Sequence, residues 1–309
     1  MKNTLPKIIV IVGPTASGKT DLSLALAKKY NGEIVSADSR QVYKKMDIGT
    51  AKPVKDFGLQ TSDYIVQGIR HHLMDMVNPD ANFSLADFKK AAIEAVRDIL
   101  QRGKLPIVVG GTGLYIWALL DNLDIPKVQP DSKLRKELES KSLAELVRLL
   151  QEKDQASARK IDLKNPRRVI RALEVVLSSG ESFIAQQTKS EPIFTALQIG
   201  LKISKEELYR RIDERIDRQI ADGLVEEVTK LVSEGYSWDL PSMSGIGYKE
   251  IGQYFRGEVP LAKAIEILKT NTYKYAKRQL TWFKRDARIQ WIGSNDLVAA
   301  QELAEEFLK

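Results

Sequence analysis

Cysteine does not occur in this 309-residue chain, which excludes disulfides, thiolate nucleophiles and cysteine-based zinc sites and gives no sign of an oxidising compartment. Apolar runs are short as well. None approaches the ~18 residues of a membrane span, and residues 1–6 lead straight into the apolar run 8–12 without signal-peptide anatomy. The expectation is a cytoplasmic protein with no membrane partner. Histidine is limited to His71 and His72, adjacent and therefore pointing apart in most backbones, so a structural or hydrogen-bonding role is expected rather than a metal pair. No internal repeat or low-complexity tract is visible.

With 43% hydrophobic and 29% charged residues, the composition is that of a globular protein with one sizeable core and a smaller appended unit. The net charge of +7 favours an anionic partner, whether RNA, DNA or a phosphorylated substrate.

Residues 8–12 are continuously apolar and β-branched, the pattern of a strand buried on both faces of a parallel sheet, and a helix is expected over 21–30. A second strand over 33–37 ends on Asp38. Ser84 and Asp87 open a capped amphipathic helix that Gly103 ends. A third strand, 106–109, runs into the turn Gly110-Gly111-Thr112-Gly113 and a helix over 114–120. Such strand-turn-helix units imply a doubly wound α/β sheet. From about Asp124, with Pro126 and Pro130 at its entry, the pattern becomes helical and charged. A returning strand over 197–203, a Ser204/Glu207 capping box, an edge strand over 288–292 and a last helix from Asp296 follow. The expected fold is α/β: a P-loop NTPase-like parallel sheet core flanked by helices (1–123 and 196–309) with an inserted all-helical domain (124–195).

Gly13-Pro14-Thr15-Ala16-Ser17-Gly18-Lys19-Thr20 matches G-x-x-x-x-G-K-[ST] between strand and helix. There backbone amides converge on phosphate oxygens, Lys19 reaches the outer phosphates, and the Thr20 hydroxyl is placed to ligate Mg2+. Read alone, this is an ATP site. Nucleotide hydrolases usually end a later strand on a metal-organising acid, whereas the third strand here ends in glycines and Asp38 is the acid that ends a core strand. Asp38 and Thr112 should face the loop across the cleft. As a strand-end carboxylate, Asp38 suits a general base or a metal organiser, and equally a cap or turn residue.

Arg211, Arg215 and Arg218 share one helix face, which suits phosphate contact or a solvated face paired with Asp213, Glu214 and Asp217. Two basic stretches remain. Arg159, Lys160, Lys164, Arg167, Arg168 and Arg171 cluster in the insertion, and near the C-terminus basic residues interleave with Tyr273, Tyr275, Trp282 and Phe283. Both suit a nucleic acid, although aromatics at helical spacing are more often core.

Together with Ser36-Ala37-Asp38-Ser39-Arg40-Gln41-Val42-Tyr43, residues 47–53, His71-His72-Leu73, residues 110–115 and Lys277-Arg278-Gln279-Leu280-Thr281-Trp282, the phosphate loop closely resembles the tRNA dimethylallyltransferase, or tRNA isopentenyltransferase, family over nearly the whole chain. The resemblance implies transfer of a dimethylallyl group from dimethylallyl diphosphate to N6 of the adenosine 3′ of the anticodon in tRNA, with Mg2+ as cofactor. By it, Asp38 and Thr112 are catalytic, and Gly13 to Thr20 with Arg215 hold the diphosphate. It also implies that Asp38, Ser39, Arg40, Gln41, Thr112, Arg135, Arg167, Arg168, Val169, Ile170, Arg171 and the turn Ser244-Gly245-Ile246-Gly247-Tyr248-Lys249 touch tRNA. Eukaryotic relatives often append a zinc finger, which a chain without cysteine cannot build, so the compact bacterial form acting as a monomer is expected. Two rivals remain at this stage: a P-loop nucleoside or metabolite kinase, and a non-catalytic RNA-binding NTPase switch.

Overall fold

The first strand, β1 (Lys7–Val12), is buried from Ile8 onward, as its unbroken β-branched run requires, each side chain contributing about 1.5–3 kcal/mol by leaving water. The structure, a computed structural model, describes residues 5–58, 61–126, 128 and 131–309; Met1–Thr4 and the expected punctuation at Pro130 lie outside them. After β1 come α1 (Lys19–Lys29), β2 (Gly32–Ser36), β3 (Tyr64–Val66), β4 (Ile69–His72), α2 (Leu85–Gln101), β5 (Leu105–Gly110) and α3 (Gly113–Leu120). The Ser84/Asp87 capping box opens α2 as expected.

After the insertion, β6 (Thr195–Lys202) returns to the sheet beside β1, and β7 (Ile289–Gly293) forms its edge. Among the described residues the strands make one sheet of order β3-β4-β2-β5-β1-β6-β7, parallel except for the β3/β4 hairpin. Gln67 and Gly68, both at positive φ, make that hairpin's two-residue turn. The hairpin was not anticipated, because its strands are short and β4 carries Arg70, His71 and His72 rather than an apolar run.

Strand order is what assembles the site. β5 lies between β2 and β1, with Ser36 opposite Val109 and Val12 opposite Gly110. The segments leaving β1, β2 and β5 therefore emerge side by side at the C-terminal edge of the sheet, where ligands of open α/β sheets bind. Between β6 and β7 run α8 (Lys205–Ala221), α9 (Leu224–Ser233), α10 (Tyr248–Phe255) and α11 (Leu261–Phe283), and α12 (Leu297–Leu308) closes the chain. Leu208, Ile212, Ile216, Leu268 and Ala276 join Val42, Tyr43 and Met46 in one apolar core, holding α8 and α11 against the segment that follows β2. The capping box expected at α8 forms only in part: Ser204 accepts from the Glu207 amide, while the Glu207 carboxylate turns to Arg210 and Arg211.

The chain divides into two compact units, Met1–Leu119 with Ile193–Lys309, and Leu120–Pro192. The second is built of α4 (Ser132–Glu139), α5 (Leu143–Lys153), α6 (Gln155–Lys160) and α7 (Pro166–Ser179) around Leu138, Leu146, Leu150, Val169, Ile170 and Leu173. No helix among the described residues is long and apolar enough to cross a membrane.

Candidate active site

The loop between β1 and α1 owes its shape to three positions. Gly13 has φ +151°, and a methyl group there would meet Ser17 Oγ at 3.0 Å and Leu201 Cβ at 3.3 Å. Ala16 (φ +61°) and Gly18 (φ +91°) are left-handed, the alternation that turns successive amides into one concavity. The Ser17 amide and the Lys19 ammonium both donate to the Pro14 carbonyl, at 3.3 and 2.6 Å. Thr20 stands exposed on the first turn of α1, whereas Ser17 Oγ is buried without a hydrogen-bond partner.

Arg215 lies close enough to Lys19 to perturb it. Burial and then Arg215 lower the Lys19 ammonium, against the opposing pull of Asp38, to about 7. Arg215 is likewise lowered by burial and supported by Asp38 and Tyr275. As whole residues Lys19 and Arg215 are half-buried. Arg215 Nε is buried without a partner. Two basic side chains that both feel one carboxylate, one of them with an orphaned donor, form a cradle that an incoming anion would complete.

The structure also distinguishes Arg211, Arg215 and Arg218 of α8. Arg211 is held by Glu207 at 2.7 Å and Asn295 at 3.2 Å, and Arg218 is exposed, leaving Arg215 to face Lys19.

Opposite the loop, Asp38 Oδ1 accepts from the Arg40 amide at 2.8 Å, so the turn reading of Asp38 holds, and its charge is also felt by Lys19 and Arg215. Thr112 accepts from the Ser39 amide at 3.1 Å and donates its own amide to the Ala37 carbonyl at 3.3 Å. The flanking glycines are obligatory: a methyl group at Gly110 would overlap Ala37, at Gly111 Gln279, and at Gly113 the Trp282 ring. Thr112 is thus the one side chain that the Gly110–Gly113 turn presents. Tyr275 lies beside this turn, its hydroxyl 3.8 Å from where a Gly111 methyl would be, and burial and Asp38 push its phenol above its ordinary value. Tyr275 and Gln279 were not singled out as site residues, because their sequence spacing marks them only as one face of a helix.

Arg40 and Gln41 are engaged within the protein. Arg40 donates to the Pro241 carbonyl and to Ser244 Oγ (3.3 Å), and Gln41 accepts from Ser36 Oγ at 3.0 Å. In the turn 244–249, Lys249 is exposed, Ser244 and Ile246 are half-buried, and Gly247 (φ +98°) caps α10. Tyr248 is 1% exposed and donates to Glu227 at 2.6 Å. Glu227 gathers the amides of Asp47, Ile48 and Gly49 at 2.8, 2.8 and 3.0 Å, and the Tyr248 ring fills the space a Gly49 side chain would need. Lys52 Nζ is buried between the Tyr43 carbonyl, Asp47 and Asp75. Residues 47–53 and Tyr248 thus form an internal clamp, and no Tyr248 side chain is offered to a ligand.

The helical unit carries the other expected RNA contacts. Arg135 makes a bidentate pair with Glu174, 2.7 Å on each arm, and Arg171 donates to the Val128 carbonyl at 3.0 Å. Val169 and Ile170 belong to that unit's core, so their side chains are turned inward. Arg167 and Arg168 are exposed.

Both histidines lie on β4, which is separated from β5 by β2 in the sheet. His71 Nδ1 bonds the Ile69 carbonyl at 3.0 Å and His72 Nε2 bonds Glu33 at 2.7 Å. Among the described residues no cluster of three or more His, Asp or Glu could hold a metal.

A mostly parallel sheet whose inner strands end in a glycine-rich loop, a carboxylate and a threonine defines the class, an α/β enzyme core. The chain belongs to the IPP transferase family, whose model matches residues 41–286. That span begins after the phosphate loop, but full-length relatives cover it. The tRNA dimethylallyltransferase of Acetivibrio thermocellus is 44% identical, covering 97% of this chain and 95% of the relative, and that of Pelotomaculum thermopropionicum is 43% identical, covering 100% and 97%. Among solved structures, the tRNA isopentenylpyrophosphate transferase of Bacillus halodurans is 40% identical with a TM-score of 0.70, covering 98% of this chain and 94% of that one. A eukaryotic dimethylallyltransferase described as acting on tRNA is 31% identical with a TM-score of 0.78, covering 97% and 77%. This membership does not favour the kinase alternative.

Proposed function

We propose that this chain transfers a dimethylallyl group from dimethylallyl diphosphate to N6 of the adenosine 3′-adjacent to the anticodon in tRNA, releasing pyrophosphate. The observation that carries the reading is the buried, unpartnered Arg215 Nε beside Lys19 and the phosphate loop, facing the strand-end carboxylate Asp38.

The adenine N6 lone pair is delocalised into the ring, so its attack on the allylic carbon needs a base. Asp38 takes the N6 proton as the new N–C bond forms and the C–O bond to diphosphate breaks. Loop amides, Lys19 and Arg215 stabilise the charge growing on the leaving pyrophosphate. Thr112, fixed by Ser39 and Ala37, orients the acceptor base. A Mg2+ ion suits the donor set, since the exposed Thr20 hydroxyl beside the phosphate loop would supply it with a protein oxygen ligand. When bound, it neutralises diphosphate charge.

The exposed Arg167 and Arg168 of the helical unit, with Lys249, meet the tRNA backbone. The target base leaves its stack at a cost of about a few kcal/mol, less in a loop than in a stem. The protein acts as a cytoplasmic monomer.

The test is incubation with unmodified tRNA, dimethylallyl diphosphate and Mg2+, followed by nucleoside mass spectrometry. One adenosine should gain a five-carbon unit. No mass gain, with ATP consumed instead, would return the kinase reading.

A further inference from the structure

Gln279 is an uncharged side chain of α11 buried to 6% exposure, and both ends of its amide are used. Its Oε1 accepts from the Thr15 amide at 2.8 Å, and its Nε2 donates to the Gly111 carbonyl at 3.0 Å. The partners dictate the orientation, since Thr15 N can only donate and Gly111 O can only accept. Thr15 belongs to the phosphate loop and Gly111 precedes Thr112. Gly111 has no room for a methyl group because the Gln279 amide occupies that space. Through Thr112 the link continues to Ser39 and Ala37, which flank Asp38.

We propose that Gln279 is a positioning residue for group transfer: it sets the separation between the diphosphate loop and the Thr112/Asp38 side, and so between leaving group and acceptor base. The inference rests on the transferase reading of the site. It assigns Gln279 an effect on the chemical step rather than on diphosphate affinity, because the Thr15 amide it holds is turned toward Gln279, while Lys19, Arg215 and the later loop amides carry the anion. Misplacement of reacting atoms by a fraction of an ångström is sufficient to slow such a step.

The experiment compares wild type, Gln279→Glu, Gln279→Met and Gln279→Asn in steady-state kinetics with full-length tRNA, together with pyrophosphate binding by calorimetry and thermal unfolding. Glu keeps length and the Thr15 bond but loses the donor to Gly111. Met keeps length and loses both, and Asn keeps the amide but is too short to span the gap. The expected result is a kcat order of wild type, Glu, then Met and Asn, with Met down by about tenfold or more, the scale of lost orientation, and with the KM for dimethylallyl diphosphate and the pyrophosphate affinity within about threefold. A kcat for Met within twofold of wild type overturns the proposal, as does a loss matched by an equal loss of pyrophosphate affinity. Should Met fail to fold, Glu and Asn carry the comparison, and equal kcat in wild type and Asn overturns it. If wild type itself leaves tRNA unmodified, it is the transferase reading that fails.

Discussion

Lys19 Nζ donates to the Pro14 carbonyl at 2.6 Å, so the side chain is folded back over its own loop. Burial and Arg215 hold its ammonium at about 7, against 10.5 for a free lysine, and a bound diphosphate would raise it again. Between those values binding of a diphosphate should be coupled to proton uptake by Lys19. Calorimetry with pyrophosphate at about pH 8, in buffers of different ionisation enthalpy, should report uptake approaching one proton that vanishes toward pH 5. Lys19→Arg should abolish the uptake, and pH-independent proton exchange would contradict it.

Asp38→Asn should retain tRNA binding and slow transfer by about 10² or more, the low end of general-base contributions. The Asp38 Oδ1 bond to the Arg40 amide is of a kind that asparagine can also make, so the turn should survive. Single-turnover rates alongside a tRNA binding isotherm separate the two, and an unchanged rate would remove Asp38 from the role of base.

Charge reversal at the exposed Arg167 and Arg168 should weaken tRNA binding and flatten its salt dependence while leaving pyrophosphate affinity unchanged. Arg135→Ala should behave differently. It strips a bidentate partner from Glu174, which is fully buried, and the 3.6 Å contact from Arg171 compensates only in part. The expected signature is a loss of stability of about 1–3 kcal/mol, the desolvation of a polar group left short of partners, read by thermal unfolding.

Glu33 should make the fold acid-sensitive. Burial alone would raise its carboxyl, but Arg102, Lys104 and His72 outweigh that and hold it well below the ordinary glutamate value of 4.5. A depressed folded pKa stabilises the protein fully above the unfolded value, and that contribution is lost as pH falls below it, because the unfolded chain then binds the proton that the folded chain refuses. Glu33→Gln should lower the melting temperature at pH 7 and narrow the difference from wild type as pH falls through 4. An equal difference at both pH values would exclude the linkage.

The local periodicities of the chain declared themselves without a structure. The β-branched run of β1, the Ser84/Asp87 box of α2 and the glycine spacing of the phosphate loop depend on neighbours within a few residues, and each formed where its pattern lay. Family resemblance extended this reading to activity, and the family assignment agrees with it. The β3/β4 hairpin escaped because its strands are only three and four residues long, and β4, with Arg70, His71 and His72, is held by pairing with β2 on one side and β3 on the other rather than by a pattern of its own.

The phosphate loop was legible at Gly13 to Thr20 because its geometry is a property of consecutive backbone angles. Tertiary structure decided which distant groups complete it. Arg215 was chosen over Arg211 and Arg218 by the packing of Leu208, Ile212 and Ile216, which sets the rotation of α8. Tyr248 turned inward because Gly49, nearly two hundred residues earlier in the chain, leaves space for its ring. Gln279 joins Thr15 across a separation of 264 residues, a contact that exists only once β1, β5 and α11 are packed. Side-chain periodicity constrains which face a residue occupies, while the partner on the other side of that face is set by the order of strands in the sheet.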